Sequence, residues 1–357
     1  MSADTHFHTL RIATRRAEAE DAVVLGFDVP PELRAAFVFD AGQHLTLRHA
    51  IDGTEQRRTY SICSAVDDPL LQIGVRRVPG GAFSTWLHGA LQPGQPIEVM
   101  PPQGRFSVRP DAAARRHLLL IAGGAGITPI LGILRSVLAA EPHSRCTLLY
   151  GNRTAGSTMF KDALLDLKNQ HLSRLAIHPV FSREPVEAPL NAGRIDREKL
   201  ALVLGTLVDP ADVDAVYVCG PHAMNDEAEA ALRDAGIAPE RIHVERFGVP
   251  GSVPTAVPQA GDAPQAQVSI VRDGLSRVVP FNAEDGNLLA AAARAGMDVP
   301  YSCKSGVCGT CRAKLKSGQV RMDRNYALEP ADVAAGFILT CQSHPITSEV
   351  SVSFDER

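Results

Sequence analysis

Apolar residues along the first hundred positions come in short runs broken by turn formers. Ala22-Val23-Val24-Leu25, His44-Leu45-Thr46-Leu47 and Leu70-Leu71-Gln72-Ile73-Gly74-Val75 are examples. Runs of this length predict strands, and their succession predicts an antiparallel β-barrel over residues 1–110. The pattern then changes. His117–Ala122 is an unbroken apolar strand, and Ile130, Leu131, Leu134, Val137 and Leu138 follow at helical spacing. Cys146–Tyr150, Ala176–Phe181 and Val213–Cys219 read as further strands. Helical stripes fall on Met159, Phe160, Ala163, Leu164 and Leu167, and over Ala223–Ala235. This alternation predicts a parallel α/β sheet over residues 111–248, with ligands at the C-terminal ends of its strands. Residues 249–267 carry Pro250, Gly251, Pro254, Pro258, Gly261 and Pro264 without apolar period, which predicts a linker. A last domain is expected over residues 268–357.

Composition narrows the classes. A chain of 357 residues has room for two or three domains, and its 45% hydrophobic content is that of ordinary globular proteins. A net charge of −4 argues against a general nucleic-acid binder. Leu118–Leu134 is free of charge, but Gly123, Gly124, Gly126 and Pro129 interrupt it. It suits a buried strand, turn and helix better than a membrane span. Met1-Ser2-Ala3-Asp4-Thr5-His6 lacks the basic and apolar regions of a signal peptide. A cytoplasmic protein with reduced Cys63, Cys146 and Cys219 is expected.

The remaining four cysteines change the picture most. Cys303, Cys308, Cys311 and Cys341 have the spacing C-x4-C-x2-C-x29-C, the plant-type order for a [2Fe–2S] cluster. One loop supplies three thiolates, with Gly306 and Gly309 allowing it to wrap around metal. A zinc site normally shows two paired C-x-x-C elements, and Cys341 has no cysteine neighbour. Disulfides would need an oxidising compartment.

Other constellations suggest where electrons enter. In Arg58-Thr59-Tyr60-Ser61 an arginine suited to a pyrophosphate shares a strand face with a tyrosine suited to stacking on an aromatic ring. Pro79-Gly80-Gly81-Ala82-Phe83-Ser84 follows, with glycines and a serine at a helix start where anions bind. Together they imply a dinucleotide-sized flavin; the plain alternative is a surface arginine beside a half-buried tyrosine. Gly123-Gly124-Ala125-Gly126-Ile127-Thr128-Pro129 joins a strand to a helix, as a second pyrophosphate loop would, although it is not G-x-G-x-x-G. Val218-Cys219-Gly220-Pro221 and Glu245-Arg246-Phe247-Gly248 end strands at the same edge. Arg153, Ser182 and Arg183 follow the second and third strands where an acidic residue would favour NAD, so they point to the 2′-phosphate of NADP. Solvated surface arginines are the alternative reading.

Taken in order, the R-x-Y-S, G-G-x-G-I-T-P, C-G-P and E-R-F-G elements resemble the ferredoxin–NADP reductase family fused to a C-terminal plant-type ferredoxin. The resemblance covers nearly the whole chain. It implies a flavin barrel, an NADP-binding α/β domain and an α+β (β-grasp) ferredoxin domain. It implies FAD, NADPH as substrate and a [2Fe–2S] cluster on Cys303, Cys308, Cys311 and Cys341. Arg58 would contact the FAD pyrophosphate, Tyr60 stack on the flavin ring, Ser61 lie near its N5, and Gly81 and Ser84 hold phosphate. Gly123, Gly124, Gly126 and Thr128 would line the nucleotide site. Cys219 and Glu245 would lie beside nicotinamide and flavin, with Tyr60, Ser61, Cys219 and Glu245 the catalytic set and Phe247 a further cofactor-binding residue. Ser182 and Arg183 match the family's pair for the 2′-phosphate.

Cys63, Met100-Pro101-Pro102-Gln103-Gly104-Arg105-Phe106, Tyr150-Gly151-Asn152-Arg153-Thr154 and Asn325-Tyr326-Ala327-Leu328-Glu329-Pro330 are similar to the reductases of phenylacetyl-CoA (ring 1,2-) epoxidases. That likeness implies electron delivery to a di-iron oxygenase of phenylacetate degradation. The same architecture serves steroid and aromatic hydroxylases, a hybrid-cluster partner is a further alternative, and a non-catalytic redox sensor is the reading from another class. Lys304, Arg312, Lys314 and Lys316 flank the cluster loop and would steer an acidic partner, unless they form an ordinary solvated face.

Overall fold

The computed structural model describes residues 4–248 and 259–356. Residues 249–258 of the expected linker lie outside them. The chain folds as two compact units. One holds residues 7–56 and 60–247, and the other holds residues 57–59 with the described residues before 7 and after 247.

The first unit begins with β1 (His8–Glu18), β2 (Ala22–Asp28), β3 (His44–Ile51), β4 (Thr54–Ser61), β5 (Leu71–Arg76), α1 (Ala82–Ala90) and β6 (Pro96–Gln103). The strands lie in the order β4-β3-β6-β1-β2-β5. An antiparallel bridge from Ile62 to Ile73 joins the two ends of the sheet and closes the barrel. The unbroken apolar run of β2 has a period-two explanation. Val23, Leu25 and Phe27 fill the barrel, whereas Ala22 and Val24 point outward into a second core.

That second core is shared with the α/β part: β7 (His117–Gly123), α2 (Ile127–Ala140), β8 (Arg145–Asn152), α3 (Lys161–Gln170), β9 (Leu175–Phe181), α4 (Arg197–Thr206), β10 (Ala215–Gly220), α5 (His222–Asp234) and β11 (Ile242–Arg246). Its parallel sheet has the order β11-β10-β7-β8-β9. Leu118 and Leu120 face α2 and the barrel side, while Leu119 and Ile121 face the opposite core. Burial on both faces is why β7 reads as a continuous apolar run. Pro179 is tolerated because β9 is an edge strand. Strand order reverses between β7 and β10, so a crevice opens at their C-terminal ends.

The second unit contains β12 (Gln265–Arg272), β13 (Leu275–Asn282), α6 (Leu288–Arg294), β14 (Arg312–Ser317), β15 (Val320–Met322), α7 (Pro330–Ala334), β16 (Phe337–Leu339), β17 (Ser343–Pro345) and β18 (Glu349–Ser353). A mixed sheet, β13-β12-β18-β14-β16, packs on α6 in the β-grasp manner. The expected linker is too long at its end: Gln265, Ala266 and Gln267 already pair with β13. Before them, Asp262 is held by Arg321 through two hydrogen bonds of 2.8 and 2.6 Å. Among the described residues no helix is long and apolar enough to cross a membrane.

Candidate functional site

The crevice gathers residues from four strands. Backbone pairing sets Cys219 on β10 beside Glu245 on β11. The Ser61 hydroxyl, from the end of β4, donates to Glu245 Oε2 at 3.3 Å, and Cys219 Sγ lies 3.9 Å from the same oxygen. His44, at the start of β3, turns its Nδ1 to within 3.9 Å of Glu245 Oε1. Three expected residues thus meet at one carboxyl, and His44 joins them unannounced. Phe247 follows β11 and is about half exposed.

Among the described residues Glu245 has no lysine or arginine within bonding reach. The adjacent Arg246 is turned away toward Asp226, at 2.8 Å. Burial therefore pushes the Glu245 carboxyl up to about 8, against the opposing hydrogen bonds from Ser61 and Cys219. Burial and then the neighbouring Glu245 push the Cys219 thiol well above its usual range, so it is a neutral thiol here. His44 is 5% exposed, and burial lowers its imidazole to about 4.

The folded chain keeps the Glu245 proton between its ordinary value of 4.5 and about 8, where the unfolded chain has lost it. The stability this contributes is full below 4.5 and is lost as pH rises through 8. His44 acts oppositely, but only between about 4 and 6.5. Between pH 6.5 and 8, then, Glu245→Gln is expected to remove about 2 kcal/mol of pH-dependent destabilisation. Denaturant unfolding of both proteins across that range measures it; parallel curves would contradict the assignment.

The glycine loop lies across the crevice. Gly124 has φ +54°, and Thr128 donates to Ala125 O at 2.9 Å. Gly126 has a reason the sequence does not disclose: a Cβ there would lie 1.9 Å from the carbonyl oxygen of Cys219. This glycine allows β10 to approach the loop, where the sequence pattern alone suggests room for a pyrophosphate. Gly123 likewise packs against Met224 and Pro221, and Thr128 is buried against Gly74 of β5. Arg76, also on β5, reaches this loop; a Cβ on Gly124 would lie 3.1 Å from its Nη1. Asp21 holds Arg76 at 2.9 Å and lies 3.6 Å from Arg153. Nothing in the local pattern Gly74-Val75-Arg76-Arg77 marks this residue.

Past the sheet edge, Ser182 N donates to Asn152 O (3.0 Å) and Arg183 N to Arg153 O (2.9 Å). These bonds extend the β8–β9 pairing and place Arg153, Ser182 and Arg183 side by side and exposed.

On the barrel, Arg58 is exposed and Tyr60 half-buried two residues later on β4. The Tyr60 ring lies 6.3 Å from that of Phe83 in the first turn of α1, which brings the R-x-Y-S strand to the glycine-led helix start. The Ser84 hydroxyl is engaged locally, donating to Gly81 O and accepting from Val78 N. The anion donors this turn offers are the first backbone N–H groups of α1. An exposed arginine, a half-buried aromatic ring two residues on and a helix start beside that ring fit a flavin with its phosphates.

In the second unit Cys303 and Cys308 are half-buried, whereas Cys311 and Cys341 are 2% and 3% exposed. Among the described residues no three His, Cys, Asp or Glu side chains gather around a single metal ion. The thiols instead form two contacting pairs, Cys303 with Cys308 and Cys311 with Cys341. Four neighbouring thiols in this plant-type spacing suit a binuclear cluster. Gly306 and Gly309 adopt φ of +80° and +68°, and even Lys304 is left-handed at +56°. Contact with Cys308, and then backbone N–H groups of Ser305 and Val307, hold the Cys303 thiol well below its usual range. The Ser302 hydroxyl beside it is buried without a protein partner, as a donor meant for a cluster atom would be. Pairing of β14 with β16 brings Cys341 beside Cys311, with Thr340 Oγ1 donating to Cys311 O at 3.0 Å.

The flanking cations are less available for steering than their sequence positions suggest. Arg312 bonds Asp332 at 2.9 Å and Lys316 bonds Glu356 at 2.6 Å. Lys314 bonds the carbonyl of Ala335, at the end of α7. Lys304 lies over the Tyr301 ring, 4.6 Å from its centroid.

Three family models match successive stretches of the chain. Residues 9–108 match the oxidoreductase FAD-binding domain, 120–230 the oxidoreductase NAD-binding domain and 271–345 the 2Fe-2S iron-sulfur cluster binding domain. One of the subunits of the 1,2-phenylacetyl-CoA epoxidase of Escherichia coli K12 is 44% identical over 354 residues, 99% of each chain. The chain belongs to the reductase components of oxygenases. The reductase is also 34% identical to the ferredoxin reductase component of 3-ketosteroid-9-alpha-monooxygenase from Mycobacterium tuberculosis, over 98% of this chain and 97% of that one. Phthalate dioxygenase reductase, a solved structure, superposes with a TM-score of 0.61 at 27% identity, covering 97% of this chain and 98% of its own. The reductase is an oxidoreductase with FAD-, NAD- and [2Fe–2S]-binding domains in that order.

Proposed function

We propose that this reductase oxidises NADPH and delivers the electrons singly to the oxygenase component of a phenylacetyl-CoA epoxidase in the cytoplasm. The observation that carries the partner assignment is the 44% identity to the Escherichia coli epoxidase protein along 99% of both chains, against 34% identity to the steroid component. When bound, the flavin accepts a two-electron hydride and releases electrons one at a time, and the cluster carries single electrons onward.

The chain's own residues position, charge and enclose these groups. Arg58 and the N–H groups of the first turn of α1, at Gly81 and Ser84, hold flavin phosphate, and Tyr60 covers the ring. Ser61, Cys219 and Glu245 form an uncharged surface at neutral pH, against which nicotinamide and flavin would meet. Gly123, Gly124, Gly126 and Thr128 shape the nucleotide loop, and Phe247 flanks it. Arg153, Ser182 and Arg183 bind the 2′-phosphate. Cys303, Cys308, Cys311 and Cys341 hold the cluster, with the half-buried pair toward the acceptor.

Tyr60→Ala is expected to lose most of its flavin on dialysis, because the ring's apolar face is then uncovered. Full occupancy would count against stacking. Function is tested by mixing the purified reductase with the epoxidase oxygenase proteins, NADPH, oxygen and phenylacetyl-CoA. NADPH consumption matched by epoxide formation supports the assignment. Reduction of cytochrome c without any epoxide would leave a reductase for another oxygenase, and reduction of neither would leave a redox sensor.

A further inference from the structure

His44 has no part in the hydride path as so far described. Yet among the described residues it is the only basic side chain turned toward the Glu245 carboxyl. Three features show that the site accommodates it specifically. Gly104 lies against the ring: a Cβ there would stand 2.8 Å from Nδ1 and 3.1 Å from Cε1. Gln43, the preceding residue, ties the same glycine by donating to Gly104 O at 3.1 Å. The Gln43 carbonyl also accepts the backbone N–H of Ile62 at 2.8 Å, which locks the start of β3 to the end of β4 beside Ser61. The Nε2 of His44 is buried and has no protein partner. Nothing on that side competes with Glu245 for the ring, and a bare nitrogen is less costly to bury there than an unpaired N–H. This favours the tautomer with its proton on Nδ1, facing Oε1.

We propose that His44 is a positioning residue of the hydride-transfer site, its imidazole N–H facing the Glu245 carboxyl and setting the pH at which that carboxyl gives up its proton. The proposal rests on reading the crevice as the site of hydride transfer. The two oxygens of Glu245 are divided between partners: Ser61 and Cys219 approach Oε2, and His44 approaches Oε1. The groups facing the carboxyl are therefore Ser61 from β4, Cys219 from β10 and His44 from β3. Burial keeps both Cys219 and His44 uncharged near neutrality. An N–H dipole on Oε1 favours the carboxylate, so its loss moves the titration of Glu245 upward. His44→Phe removes the donor and keeps a ring; His44→Gln keeps a donor.

Two measurements on the flavin-loaded, cluster-containing protein test this. The first is denaturant unfolding against pH for the wild type, His44→Phe, His44→Gln, Glu245→Gln and the His44→Phe/Glu245→Gln double variant. The pH at which Glu245 stops destabilising the fold should rise by about half a unit or more in His44→Phe. It should return toward the wild-type value in His44→Gln, and the His44→Phe effect on slope should vanish once Glu245 is glutamine. A merely structural histidine would lower stability equally at every pH. The second is the rate of flavin reduction by NADPH in a single turnover, whose alkaline limb should shift by the same amount. Superimposable slopes for wild type and His44→Phe, or an equal effect in both Glu245 backgrounds, overturn the proposal. A slope that shifts while the alkaline limb stays fixed overturns the positioning role. If NADPH fails to reduce the flavin of the wild type, the hydride-site reading fails, and the unfolding data still decide whether the two side chains are coupled.

Discussion

Replacing Cys341 with serine is expected to remove the visible absorption of the cluster and to reduce electron delivery beyond the flavin to background, while NADPH still bleaches the flavin. Cys341 is 3% exposed and paired with Cys311 in the apolar core of the second unit. A hydroxyl there is a poorer iron ligand than a thiolate. Apart from Arg57–Thr59, the flavin and nucleotide parts form the other compact unit with their own shared core. Flavin content and the rate of flavin reduction should therefore stay within about twofold of wild type. Absorption spectra with iron and flavin analysis check both halves. Loss of flavin together with iron would show that the two units do not fold independently.

The second large effect concerns the nucleotide. Arg183→Ala should raise KM for NADPH by about 10- to 100-fold, the equivalent of one charge-assisted contact of about 1.5–3 kcal/mol. KM for NADH should change less than about threefold, because NADH lacks the phosphate. Arg153→Ala should act in the same direction but less strongly, since Asp21 at 3.6 Å already claims part of its charge. Steady-state kinetics with both nucleotides decide it. Equal increases for NADPH and NADH would refute a 2′-phosphate role.

Local signals made much of this molecule legible in the chain. The cysteine spacing survives folding as two sulfur pairs because one tight loop and one β14–β16 pairing suffice to create them. The strand, turn and helix at Leu118–Leu134 are written in a run buried on both faces. Where the sequence misleads, tertiary contacts change the meaning of a residue. Gly126 has the look of a phosphate loop and is required by the backbone of Cys219. Met159 and Phe160 match a helical stripe, but α3 begins at Lys161, and Phe160 is left-handed at φ +58° to bury its ring against β5. Helix α4 is hard to see in the sequence because only Leu200, Val203 and Leu204 face the core. The basic residues of β14 look like a docking patch in the sequence, but Asp332 and Glu356, 20 and 40 positions away, pair with them. His44 and Arg76 carry no local signal, since their meaning comes from Glu245 and Gly124 far along the chain.

On the proposed route, electrons enter at the flavin in pairs and leave singly through the cluster. Anaerobic mixing with one equivalent of NADPH, followed by rapid spectroscopy at the flavin and cluster bands, tests it most directly. Flavin absorbance should fall first, and then partly recover as the cluster band bleaches at a matching rate. A cluster that stays oxidised while the flavin remains reduced, or one that bleaches before the flavin, would contradict it.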